Sequence, residues 1–179
     1  MMNDNQLKSI NGRISKNSLG QLLIELQNNS TIKYCATDFR KGYPGYEYNQ
    51  FYAPYYIEFN NGEGWLLFSV ASIRTDRVNN QQWNAYHLKQ ICNNIKRAFL
   101  VIPSDLKNNA KEWQLAVSYD KKINKGMFTA IDEVITQEDL MILIRCYSKD
   151  YSPKHFKTVY SFVHQDHNLA AEHDSTESK

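Results

Sequence analysis

Residues 53–73 read APYYIEFNNGEGWLLFSVASI, and their reading decides the fold. Two runs rich in aromatic and β-branched residues flank Asn-Asn-Gly-Glu. Asn and Gly tolerate positive φ, which a tight reversal needs, so the stretch predicts a β-hairpin with strands 53–59 and 64–73. The second strand is apolar on both faces. That is the signature of a central strand in a sheet covered on both sides, not of a sheet with one wet face. Helices must therefore supply the two covers.

Working outward, SLGQLLIELQN (18–28) has Leu19, Leu22, Leu23 and Leu26 at helical spacing, with Ser18 placed to cap the start. TIKYCA (31–36) reads as a strand. DFRKGYPGYEYNQ (38–50), with two glycines and a proline, reads as a loop. On the other side of the hairpin, 79–96 reads as a helix with Ala85, Leu88, Cys92 and Ile95 in one stripe. RAFLVIP (97–103) is a short buried strand stopped by Pro103, and WQLAVSYD (113–120) reads as a further strand. Thr136-Gln-Glu-Asp139 has the form of a capping box, and the apolar helix DLMILIRCY follows. A strand that returns after a crossover helix lies parallel to a neighbour. The expected fold class is thus α/β, a mixed sheet flanked by helices in the order α-β-β-β-α-β.

Bulk properties bound the rest. The chain has 179 residues, 42% apolar and 22% charged, which suits one soluble domain with a sizeable core. We expect that domain to span 1–164. Residues 165–179 form a polar acidic tail, expected to be disordered. The tail sets four acids against Lys179, a net of −3, so 1–164 carries +5 of the total +2. That balance permits nucleic-acid binding without demanding it. No apolar run is long enough for a bilayer, and the polar start MMNDNQLKSINGRISK lacks an apolar signal core, so no membrane partner is expected. Cys35, Cys92 and Cys146 are widely spaced and odd in number. They offer neither a metal-ligand pair nor a disulfide framework, and a reducing cytoplasm is the expected compartment.

The element order, together with SIRTDRVNNQQWNAYHLK (72–89), resembles the PD-(D/E)XK nuclease superfamily, which includes most type II restriction endonucleases. The resemblance covers roughly residues 18–103. It implies a Mg²⁺-dependent DNA endonuclease of restriction type that hydrolyses phosphodiester bonds in double-stranded DNA. It also implies a homodimer, if both strands of a symmetric site are cut. In the family, acids on the second and third core strands hold the metal, and a lysine two residues after the second acid orients water. Here WLLFSVASIR carries neither acid nor lysine. The resemblance then implies Glu47 with Asp38 or Asp76 as metal ligands, Asp76 counting if the strand extends that far. Arg74 takes the lysine's place as a charge stabiliser, and Gln82 helps to place water. Gln82 and Tyr86 form the Q-x-x-x-Y pattern of some exonuclease-type relatives. Arg40, Lys41, Tyr43, Tyr46 and Arg77 would touch DNA, since the stretch 41–56 sets six tyrosines and Phe51 beside Arg40 and Lys41. The missing acid and lysine leave a second reading open: a nuclease-like module that binds nucleic acid or a partner subunit without cutting. His87-Leu-Lys89 has an H-x-K spacing, but residues two apart on a helix point away from each other.

Overall fold

A computed structural model describes residues 18–46, 48, 50–70, 75–103 and 129–148, with backbone only for 75 and 76. Helix α1 covers 18–28. It is followed by β1 (Tyr34–Lys41), β2 (Phe51–Glu58), β3 (Gly64–Ser69), α2 (Thr75–Ile91), β4 (Ile95–Ile102), β5 (Glu133–Thr136) and α3 (Gln137–Ser148). The strands form one mixed sheet in the order β1-β2-β3-β4-β5. The first three are antiparallel neighbours. β3, β4 and β5 run parallel.

Alternation along the central strands sorts the core into two halves. Leu66 and Phe68 of β3, Ala98, Leu100 and Ile102 of β4 and Val134 of β5 face α2, which contributes Val78, Ala85 and Leu88. Trp65, Leu67, Phe99, Val101 and Ile135 face the other way. They meet Leu19, Leu23 and Leu26 of α1 and Leu140, Met141, Leu143 and Ile144 of α3. The result is a three-layer α/β/α arrangement, which is why β3 is apolar on both faces.

Local chemistry explains the turns. The hairpin closes through Asn60-Asn61-Gly62, with Gly62 N–H donating to Phe59 O (2.9 Å) and Phe59 N–H to Glu63 O (2.9 Å). Gly62 takes φ 83°, the left-handed residue of a three-residue hairpin loop. Helix α1 ends in a Schellman motif: Thr31 N–H reaches Leu26 O (2.9 Å), and Ser30 N–H reaches Gln27 O (3.0 Å). Ser30 holds the left-handed position, φ 58°, where glycine is the usual residue. Thr136 caps α3, its Oγ1 accepting the Asp139 N–H at 3.1 Å and donating to Asp139 Oδ2 at 2.8 Å.

Several boundaries differ from the sequence expectation. The first strand is 34–41, not 31–36, because the N–H groups of Ser30, Thr31 and Ile32 bond back to the end of α1. The strand therefore runs into the stretch read as a loop. α2 starts at Thr75, four residues before the expected position. Asp76 consequently belongs to the first helical turn and does not extend the third strand. Ile95 opens β4 instead of ending α2, yet it still packs in the α2-side core. β5 was not anticipated; only the cap that follows it was. The predicted strand 113–120 and the tail 165–179 lie outside the described residues. No helix among the described residues is long and apolar enough to cross a membrane. All three cysteines are free and partly buried. Burial pushes the Cys35 thiol up to about 11.

Candidate nucleic-acid interface at one end of the sheet

Antiparallel pairing brings the C-terminal end of β1 beside the start of β2. Lys41 lies opposite Phe51, Arg40 opposite Tyr52 and Phe39 opposite Ala53. One irregularity shapes this end. Asp38 adopts left-handed φ 52°, and the residue facing it in this register is Pro54, which has no N–H to offer the ladder. Alternation slips on both strands at that level. Ala36 and Phe39, three apart on β1, both pack on the α2-side core, as do Ala53 and Tyr56 on β2. The slip lets Phe39 stack on Tyr56 with ring centroids 4.5 Å apart. It also turns the Tyr52 N–H to Asn84 Oδ1 on α2 (2.8 Å).

Side chains at this end form two groups. In the first, the exposed carboxylate of Asp38 accepts the Tyr52 hydroxyl at 2.9 Å, and the Arg40 guanidinium lies 4.8 Å from the centre of the Tyr52 ring. In the second, His87 of α2 organises aromatic rings. Phe51 stacks on its imidazole at 4.1 Å, and the Tyr43 hydroxyl meets Nδ1 at 2.8 Å. The edge contacts of Trp83 and Tyr86 complete the group. Trp83 is 60% exposed and Tyr46 70%, so the cluster opens to solvent. Two atoms on α2, Gln81 Oε1 and His87 Nε2, are buried without a hydrogen-bond partner. A depression of about 500 Å³ lies here, lined among the described residues by Tyr43, Pro44, Tyr46 and Phe51.

Of the residues singled out from sequence, the structure brings Asp38, Arg40, Lys41, Tyr43 and Tyr46 to this end. Lys41 lies over the Phe39 ring, its Nζ 5.9 Å from the centroid. Arg77 is exposed in the first turn of α2. Glu47 and Arg74 lie outside the described residues, and for Asp76 only the backbone position is described. Gln82 is only 8% exposed, and its amide oxygen accepts the backbone N–H groups of Ala130 (2.9 Å) and Ile131 (3.0 Å). It ties α2 to the segment entering β5. Sequence reasoning passed over Trp83, set His87 aside with its H-x-K spacing, and named Phe51 only among the aromatics of 41–56. Their signal was the helical spacing of Trp83 and His87, which places both on one face. His87 and Lys89 do point apart, since Lys89 pairs with Asp132 (2.6 Å) below β4.

The same positions can be tested for a divalent cation, which takes several oxygen ligands. Among the described residues no three of His, Cys, Asp and Glu come together. Asp38 is the one carboxylate of the two side-chain groups, and it is already engaged by Tyr52. The described residues do not fit such an ion by themselves. No family model matches the chain, and neither a curated protein nor a solved structure matches it.

Proposed function

We propose that the chain is a DNA endonuclease of restriction type, working through the sheet end where β1 finishes and β2 begins. The observation that carries this reading is the order α1-β1-β2-β3-α2-β4, with its antiparallel meander and parallel return. It is the order that the resemblance to the PD-(D/E)XK superfamily implies. The chemistry at this end supports it. Arg40 and Lys41 supply positive charge for phosphates, and Tyr43, Tyr46 and Trp83 offer rings for bases. In sequence, Glu47 falls between β1 and β2, and Arg74 falls directly before α2. Glu47, Arg74 and Asp76 are the proposed catalytic residues, and Asp38 is a further proposed metal ligand. Cation dependence is part of the proposal and is tested with it.

The test is incubation of the purified protein with plasmid and phage DNA, in Mg²⁺, in Mn²⁺ and in EDTA. Discrete fragments that disappear with EDTA are expected. Glu47→Ala should abolish cleavage and leave the circular dichroism spectrum unchanged; full activity in that variant removes Glu47 from the site. A second reading has its own observation. β3, Gly64–Ser69, is apolar and carries none of the acid and lysine that the family places on its third strand. Intact DNA in every lane from folded protein, together with salt-dependent binding, would make this a nuclease-like binding module.

A further inference from the structure

The aromatic depression at this end has features that a merely packed surface does not need. Tyr43-Pro44-Gly45-Tyr46 is a type II turn: Tyr46 N–H donates to Tyr43 O at 2.9 Å, Pro44 fixes the first corner, and Gly45 takes φ 81° at the second. A rigid turn therefore presents one tyrosine from each end. Tyr43 is held by His87 through its hydroxyl and by an edge contact with Phe51, centroids 5.9 Å apart. Phe51 is held in turn by its stack on the same imidazole. Tyr46 has no ring partner among the described residues and stands 70% exposed. One wall is thus fixed and the other is an open ring on a fixed turn. Lys41 lies directly across the β1–β2 ladder from Phe51, with its Nζ over the Phe39 ring, 5.9 Å from the centroid. Fixed π walls match a flat base, and Lys41 on the neighbouring strand supplies a cation for the phosphate that such a base carries.

We infer that this depression takes one unstacked nucleobase, between Tyr46 and the Tyr43–Phe51 wall, with the adjoining phosphate toward Lys41. The inference rests on the nucleic-acid reading above and names the form of DNA the site takes. Such a base comes from a single strand or is extruded from a duplex, and these are separate arms of the test. His87 is a positioning residue here, acting through Tyr43 and Phe51.

Fluorescence anisotropy with labelled DNA decides it. The probes are a short oligothymidylate, a fully paired duplex and the same duplex with one bulged thymidine. Tyr46→Ala should weaken binding of the oligothymidylate or the bulged duplex about tenfold, the loss expected for one base–aromatic stack. Tyr46→Phe should restore it. Binding of the paired duplex should change much less. Lys41→Ala should weaken the same complexes and lower the single-strand salt slope by roughly 0.7. Because Tyr46 is exposed, its replacement leaves the core untouched. Duplex binding or cleavage with no effect of Tyr46→Ala on any probe overturns the base pocket and leaves the nuclease reading standing. No binding of any DNA overturns both. Tyr46-dependent capture of a proline-rich peptide in place of DNA also overturns the pocket.

Discussion

Gln82 shows how a residue's work can depend on partners that the local sequence does not contain. Its amide oxygen satisfies two buried N–H groups at Ala130 and Ile131, 48 and 49 residues away. Removing the acceptor leaves both donors without a partner, at a cost of about 1–3 kcal/mol for each such group. Gln82→Leu should therefore lower stability by roughly 2–4 kcal/mol in urea denaturation, and Gln82→Glu should lose less because it keeps an acceptor. If Gln82→Leu leaves stability unchanged but removes DNA cleavage, the water-placing role is the better account. Gly64 is a second such point. A Cβ there would lie 2.6 Å from the Tyr56 ring. That ring cannot swing away freely, since its hydroxyl donates to Glu58 (3.0 Å) and accepts from Asn94 (2.8 Å). Gly64→Ala should cost about 1–3 kcal/mol, the usual penalty of overpacking, read as a lower urea midpoint.

At the scale of elements, the local signals that succeeded were those with a local cause. The Asn-Asn-Gly reversal, the leucine spacing of 18–28 and the Thr136 cap each concern neighbours within one turn, and each is present. Ser30 adds a consequence at this scale. The Schellman geometry demands a left-handed residue, and serine bears a steric cost there that glycine does not. Ser30→Gly should stabilise the fold by about 1 kcal/mol, visible as a higher thermal midpoint. A loss of stability would mean that the Ser30 side chain contributes more than its backbone strain costs. β1 was misplaced for a physical reason as well. Its edge position leaves residues such as Asp38, Arg40 and Lys41 exposed, and the slip at Asp38/Pro54 destroys the two-residue alternation that marks a strand. The start of α2 was misplaced because Thr-Asp-Arg has no apolar periodicity before Val78.

Across the whole molecule, the two tyrosines on opposite faces of β2 couple stability to pH. Burial, first among the causes, pushes both Tyr55 and Tyr56 from 10 up to about 12. In the unfolded chain these phenols ionise near 10, while the folded chain keeps them protonated. Their contribution is therefore complete below pH 10 and is lost as pH rises from 10 toward 12. Urea midpoints should be level on the neutral side of pH 10 and fall on the alkaline side. Tyr56→Phe should reduce that fall. An alkaline slope that is the same in Tyr56→Phe would assign it to other groups. At the acid end, the Lys33 ammonium bonded to Glu58 holds that carboxyl below its usual range. Its stabilisation is present above the ordinary carboxylate pKa and fades as pH falls through the lowered one. The pair is partly exposed, so the effect is small.

The amino-acid sequence by itself determined the class of this protein. The doubly apolar third strand required cover on two sides, and the order of periodic segments supplied an α/β sheet with helices to cover it. Hydrophobic periodicity and turn chemistry are local, so they can be read from neighbours along the chain. Only the tertiary structure decided what gathers at the sheet end. It set Asp38 across from Pro54, set Phe51 and Tyr43 on His87, and turned Gln82 toward backbone far along the chain. Those relations depend on strand register and on the angle at which α2 crosses the sheet, which are properties of packed surfaces with no signature in any short stretch of sequence.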